Sequence, residues 1–212
     1  REYSLQKSTL ELYKFSLEYE PNEIFQLEYN ILYNSSDQSE VNDLTSIYGR
    51  LNNRVEENLD LTRTQTPNAL NQELKVYYTL NDNHIFSFEA QHLDQTEDPI
   101  GRAVRDRNPF LSLIPFDSNV QRFDIAQYRL IETQKLEAKL DYFYLINDQS
   151  NLNLSIGFTN VDQNYFSNFN QILDDGRRKL FDDDQFNNDV DFSFKDLYFA
   201  LNYRIRTGIF TI

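Results

Sequence analysis

Apolar and polar residues alternate regularly near the start of the chain. In "FSLEYEPNEIFQLEYNILY" (residues 15–33), apolar residues occupy most odd positions on both sides of Pro21-Asn22. Successive side chains of a β-strand point to opposite faces. The pattern therefore predicts two strands, each with one apolar face, joined by a tight hairpin turn.

Three more hairpins are predicted by the same alternation. It occurs in "LNQELKVYYTL", "KLEAKLDYFYL" and "LYFALNYRIR", and turn-forming residues follow at 81–83, 147–149 and 207–208. Between the hairpins lie polar segments at about 34–68, 94–126 and 162–189, which we expect to be loops. Such long loops are uncommon in compact domains, whereas outer-membrane barrels combine short periplasmic turns with long extracellular loops.

The predicted fold class is therefore all-β, an antiparallel transmembrane β-barrel, with residues 1–212 forming one barrel segment of about eight strands. Apolar stretches such as 25–33 and 197–205 cover nine residues, and a tilted membrane strand needs about 9–11. In such a barrel the apolar face contacts outer-membrane lipid. The residues expected to face lipid are Phe25, Leu27, Tyr29, Ile31, Leu74, Val76, Leu136, Leu140, Leu154, Ile156, Leu197, Phe199 and Leu201.

Aromatic residues gather beside the short turns, which is typical of the interfacial girdle of a membrane barrel. They include Tyr19, Phe25, Tyr78 and Phe86. Ordinary cross-strand aromatic pairing in a soluble sheet gives the same pattern at any single turn. Some residues do not fit: Leu10, Leu12, Phe143 and Tyr198 fall on the polar face, where a β-bulge or a filled lumen would account for them.

Composition narrows the possible functions. The formal charge of −14 argues against a nucleic-acid partner, whose phosphates require basic patches. The chain has no Cys, so it has no disulfide, thiolate metal site or Cys nucleophile. It has no apolar run long enough for a transmembrane helix and no signal peptide, and the start at Arg1 without any Met suggests a piece of a longer protein.

Candidate chemistry is sparse, and we predict neither an enzyme nor a cofactor. His84 and His92 lack the spacing of a dyad or a metal pair. Two loop clusters remain. Arg102, Arg105 and Arg107 could hold an anionic group of a ligand, or form an ion-pair network with Asp98 and Asp106. Asp182, Asp183 and Asp184 are weak calcium candidates in what is by default a solvated loop, so no metal site is predicted.

The runs "LNQELKVYYTLNDNHIFSFEAQHLDQTEDP", "KLEAKLDYFYLINDQSNLNLSIGFTN" and "NNDVDFSFKDLYFALNYRIRTGIFTI" resemble the barrel region of TonB-dependent outer-membrane receptors, in the subgroup with a carboxypeptidase-like regulatory domain. The resemblance implies a Gram-negative outer-membrane location and a segment of a 22-stranded barrel around a plug. It also implies energised substrate uptake, with periplasmic TonB, the rest of the barrel and plug, and a surface lipoprotein as partners. No plug or TonB box is recognisable in this chain.

Three alternatives stay open at this point. A non-transporting barrel could serve as a structural or accessory subunit of an outer-membrane assembly. A self-contained eight-stranded barrel filled by side chains is physically sound. A soluble β-sandwich binding module would also explain one-sided alternation, because a buried core selects apolar residues as lipid does.

Overall fold

The chain folds into one antiparallel β-sheet without helices in the part that the structure describes. The computed structural model describes residues 1–49, 55–108, 116–117, 120–181, 186–207 and 210–211. Its strands are β1 (Glu2–Asn22), β2 (Phe25–Tyr48), β3 (Val55–Gln65), β4 (Asn68–Asn81), β5 (His84–Glu97), β6 (Ile100–Arg105), β7 (Phe123–Asn147), β8 (Ser150–Ile172), β9 (Arg178–Leu180), β10 (Asn188–Thr207) and β11 (Phe210–Thr211). The predicted all-β, antiparallel fold class is confirmed at this level.

Strands β3 and β4 are two halves of one long strand, and so are β5 and β6. The register of β2 against β3 continues unchanged into β4, and that of β4 against β5 continues into the β3–β6 pairing. The interruptions fall at Pro67 and Pro99, which have no N–H to donate to the ladder. Beside them the carboxylate of Asp98 accepts hydrogen bonds from the N–H and the hydroxyl of Thr66, each at 2.6 Å.

Counted in this way, the sheet is a simple meander. Each long strand pairs with its sequence neighbours, in the order β1, β2, β3 with β4, β5 with β6, β7, β8, β10 and β11, while β9 adds a short pairing to β8. Without the short β9, the described residues form eight strands, and the sequence predicts about eight.

The expectation of long loops was wrong over most of the described part of the three polar segments, while residues 50–54, 109–115, 118–119 and 182–185 lie outside the described residues. Residues 34–48 belong to β2, 55–65 to β3, 123–126 to β7 and 162–172 to β8. The cause is that both faces turn polar there while the extended backbone and the ladder continue. Strand β7, with 25 residues, is therefore about 80 Å long at about 3.3 Å per residue.

Three hairpin turns at one end of the sheet share the same construction. Asn22, Asn81 and Asn147 each accept, through Oδ1, a hydrogen bond from the backbone N–H two residues later, at 2.9–3.2 Å. This is the Asx turn that Asn favours. The residue that donates this N–H also accepts a hydrogen bond from the following hairpin through its carbonyl oxygen. The donors are Thr79 N to Ile24 O, Leu145 N to Asn83 O and Arg206 N to Gln149 O, all at 2.8 Å.

Successive turns descend by a constant step. We call a row the residues that lie directly opposite one another across the strands. Phe25, which closes the first hairpin with Asn22, shares its row with Phe86, Leu154 and Leu201. The later hairpins close at His84, Ser150 and Thr207, which lie two, four and six residues beyond that row.

The sheet is a single layer with almost no core. Within the described residues, strands make extensive contacts only with the strands to which they are hydrogen-bonded. The described hydrophobic residues that are fully buried are Ala126 and Phe181. The accessible surface is 15135 Å², against about 10,300 Å² for a folded monomer of 25.3 kDa. A two-sheet sandwich with Leu140 in a shared core is not what this chain forms, since Leu140 is 43% exposed.

Candidate membrane-facing surface and polar wall

All thirteen residues predicted to face lipid lie on one face of the sheet, which we call the apolar face. The register carries Leu27 through Val76, Phe88 and Leu140 to Ile156 and Phe199 in one unbroken row. The other members lie in three further rows of the same face, which begin at Phe25, Tyr29 and Ile31 in β2. Many of these side chains are exposed, with Leu197 at 74%.

Aromatic rings concentrate on the apolar face beside the turns. Tyr19 meets Phe25 edge-on at 6.4 Å between centroids, and Phe86 stacks on Tyr142 at 4.9 Å. His84, the first residue of β5, joins this group. Its ring stacks on Tyr144 at 4.8 Å, and its Nδ1 lies 2.6 Å from the hydroxyl of Tyr142.

The opposite face, called the polar face here, carries an alternating row of charges near the turns. Glu28, Lys75, Glu89 and Lys139 lie side by side on four neighbouring strands. Opposite charges in direct cross-strand positions attract, so this row favours the observed register. Sequence reasoning missed the row, although the register implied by the short turns would have revealed it.

Tyr198, which did not fit the sequence pattern, has a local reason to lie on the polar face. It is directly opposite Gly157, and its ring occupies the space that a side chain at Gly157 would need. An aromatic ring over a strand glycine restores the packing that the missing side chain removes. No contact among the described residues explains why Leu10 and Leu12 lie on the polar face. The β1–β2 register is continuous from Glu2 to Tyr19, so a bulge does not explain them.

The three candidate arginines do not form one cluster. Arg102 and Arg105 are three residues apart in β6 and therefore point to opposite faces. Arg102 pairs with Asp124, and Arg105 Nη2 lies 2.7 Å from Glu57 Oε1. Arg107 is exposed and forms no ion pair with a described residue. The predicted local ion pairing is therefore found for Arg102 and Arg105. Their partners are Asp124 and Glu57, and not the expected Asp98 and Asp106.

Asp106 belongs to a separate group of ion pairs just beyond the end of β6, which we call the node and which consists of Asp60, Asp106 and Arg122. Arg122 bonds Asp60 at 2.9 Å and Asp106 at 3.0 Å. The backbone N–H of Asn58, together with the nearby charge of Arg122, holds the pKa of Asp106 below its usual value. The node ties β3, the end of β6 and the start of β7 together.

The metal candidates Asp182, Asp183 and Asp184 lie outside the described residues. Elsewhere in the described chain, no group of His, Cys, Asp and Glu side chains is arranged to hold a metal ion. None of the described segments is a helix long and apolar enough to cross a membrane.

Comparison with known proteins does not identify the chain. No protein-family model matches it, and no curated protein matches it.

Proposed function

We propose that this chain forms part of the wall of an outer-membrane β-barrel, with the apolar face towards lipid and the polar face towards a water-filled interior. The observation that carries the proposal is the constant descent of the turns. Each hairpin of two strands lowers the closing pair by two residues, which is one residue per strand.

That descent has a geometric meaning. One residue rises about 3.3 Å, and neighbouring strands lie about 4.8 Å apart, so the line through the turns slopes by about 35° to the rows. If all turns lie at one membrane surface, the strands lean from the membrane normal by the same angle. Strands of membrane barrels tilt by about 35–45°.

The apolar face follows the same slope. It runs over nine residues in Phe25–Tyr33 and again in Leu197–Ile205, each time beginning near the turn of its own hairpin. Nine residues tilted by about 35° span about 25 Å, the height of the apolar band of outer-membrane barrels. A soluble sheet has no reason to keep its apolar patch parallel to its turns.

The absence of a core among the described residues supports the same reading. A single layer in water would expose its apolar face at a cost of about 25 cal/mol per Å². Lipid removes that cost. Because the sandwich module requires an internal core, the single layer disfavours it.

Energised uptake by a TonB-dependent receptor is the specific function that we propose for the complete barrel. Its support is the resemblance of three hairpin segments, together with the meander of long strands that protrude beyond the apolar band. A non-transporting structural barrel would share the wall, and the presence or absence of a plug and TonB box in the full-length gene separates the two.

Single-cysteine labelling tests the membrane wall, because the chain has no Cys of its own. Cysteines at Phe88 and Leu140 should place a polarity-sensitive fluorophore in an apolar environment in outer-membrane vesicles. Cysteines at Glu89 and Lys139, one residue away on the polar face, should report water. Equal, water-like emission from all four positions would reject the wall.

A further inference from the structure

We propose that the polar face carries a binding site for a zwitterionic α-amino acid with an apolar side chain. The site is a depression of about 420 Å³ far from the short turns. Pockets of about 300–1,000 Å³ are typical of small-molecule sites. The proposal rests on the proposed function only for access to this face, and the binding itself is independent of membrane insertion.

Two neighbouring rows build the depression across five strands. One row holds Glu40, Arg63, Gly101, Gln127 and Phe169, and the next holds Asn42, Leu61, Ala103, Ile125 and Gln171. Because these residues are directly opposite one another in their rows, all their side chains lie on the polar face. Four apolar residues, Leu61, Ala103, Ile125 and Phe169, form much of the floor.

Small residues at the centre of the floor create the space. Ala103 lies between the larger Leu61 and Ile125 in one row, and Gly101 lies between the larger Arg63 and Gln127 in the other. A Cβ added at Gly101 would meet no atom within 4 Å. An apolar side chain of a few carbons can therefore rest over Gly101 and contact the partly buried floor.

The charged rim fits both ends of an amino acid. Glu40 and Arg63 are directly opposite each other in β2 and β3, yet they form no ion pair with one another. Arg63 donates to Gln65 Oε1 at 3.2 Å, and Glu40 accepts from Asn42 at 2.8 Å. A carboxylate and a guanidinium thus stand side by side without a charged partner among the described residues. A ligand with an ammonium and a carboxylate on one carbon would complement both.

A buried cluster lies beside the depression on the β8 side, where Gln171 is directly opposite Ile125. The side chain of Gln171 is 0% exposed and holds the backbone of Asp117, which donates to Oε1 at 2.8 Å and accepts from Nε2 at 3.1 Å. The ring of Phe116 packs edge-on against Phe123 and Phe181, with centroids 5.5 and 5.4 Å apart. This cluster is attached to the site at Phe169, because the backbone N–H of Phe181 donates a hydrogen bond to the carbonyl oxygen of Phe169.

Calorimetric titration of the full-length protein in detergent with L-leucine tests the site. We expect saturable binding that weakens at least tenfold in Arg63→Gln, in Glu40→Gln and in Gly101→Leu, which fills the floor. Arg107→Gln removes an exposed cation elsewhere and should leave the affinity unchanged. No saturable binding to the parent protein, or an equal loss in Arg107→Gln, would overturn the proposal.

Ligands with a single charge assign the two rim residues. Binding of 4-methylpentanoate should depend on Arg63 and tolerate Glu40→Gln, while 3-methylbutylamine should show the reverse. Loss of both ligands in both variants would mean that the substitutions distort the sheet, and would overturn the assigned roles. Leucine binding by a protein that fails to enter membranes would reject the wall and keep the site; a membrane-inserted protein without leucine binding would do the opposite.

Discussion

The end of the sheet that carries the short turns and the end that lies beyond the apolar band are stabilised in different ways. Near the turns, the same Asx turn occurs three times and the apolar face stays exposed. At the far end, ion pairs such as Arg105–Glu57 link neighbouring strands, and Phe181 is 99% buried beneath other aromatic rings. Near the turns, no second layer of described residues covers the apolar face, whereas the far end forms its own contacts.

In the proposed membrane wall, lipid and water select different sequences along a single strand. In β2 the first nine residues alternate between apolar and polar, and the following fifteen are mostly polar on both faces. Hydrogen bonding along the ladder is the same in both parts. The backbone is therefore the same in the two halves, and only the side chains differ.

The largest effect is expected from placing arginine at two positions of one row. Tyr29 and Leu197 share a row, but Tyr29 is four residues above its closing pair and Leu197 is ten above its own. With tilted strands, Tyr29→Arg lies mid-band and should cost about 2–4 kcal/mol of unfolding free energy in bilayers, while Leu197→Arg reaches the interface and should cost about 0–1 kcal/mol. Reversible unfolding in lipid vesicles measures both.

Asn30→Arg, on the polar face beside Tyr29, is the matched control and should cost far less than Tyr29→Arg. Equal penalties at Tyr29 and Leu197 would show that depth does not follow the tilt. That result would remove the main support for the membrane wall.

How much of this could be read from the sequence differs between the two halves. Near the turns, period-two alternation and Asn-rich turns are local signals, and they located the apolar face correctly, as Leu74 and Leu140 illustrate. At the far end, β3 and β4 continue through Thr66-Pro67 because the neighbouring ladders hold the chain extended. This support comes from strands that are distant in sequence. The local signals, a proline and a polar composition, therefore predict a loop.

The candidate site was less accessible to sequence reasoning for a similar reason. Arg63, Gly101 and Ile125 are far apart in the chain and become neighbours only through the register of three strands. The cluster that was predicted, Arg102 with Arg105 and Arg107, is close in sequence and divided in space. Strand parity alone would have separated Arg102 from Arg105.

An intermediate effect is expected at the repeated turns. Asn81→Ala or Asn147→Ala removes one side-chain hydrogen bond and should lower the unfolding free energy by about 1 kcal/mol. Asp82→Ala, in the same turn as Asn81, is the control and should stay within about 0.5 kcal/mol of the parent. Chemical denaturation in detergent micelles distinguishes them; a loss at Asp82 as large as at Asn81 would contradict the Asx interpretation.

The smallest effect concerns acid sensitivity of the far end. The pKa of Asp106 in the folded chain is lowered, chiefly by the N–H of Asn58, so its stabilising contribution is full above the ordinary carboxyl pKa of about 3.9. It is lost as the pH falls through the lower, folded value. Hydrogen exchange of β3 and β6 amides, corrected for the intrinsic exchange rate at each pH, should therefore accelerate below about pH 4 in the parent chain.

Asp106→Asn should show less of that acceleration, because it lacks the titrating group. Asp37→Asn, on exposed β2, serves as the comparison and should leave the pH profile as in the parent. Identical profiles for the parent and Asp106→Asn would assign the acid response to other carboxylates.

The Asx turns give the sheet a modular character. Each hairpin carries its own turn, its own two-residue descent and the carbonyl that receives the next hairpin, as Ile24 does for Thr79. A gene that duplicated or deleted one such unit would change the circumference of the sheet and leave the slope and the joints between neighbours intact. Walls of this construction can evolve in width by whole hairpins, with no need to redesign the strands already present.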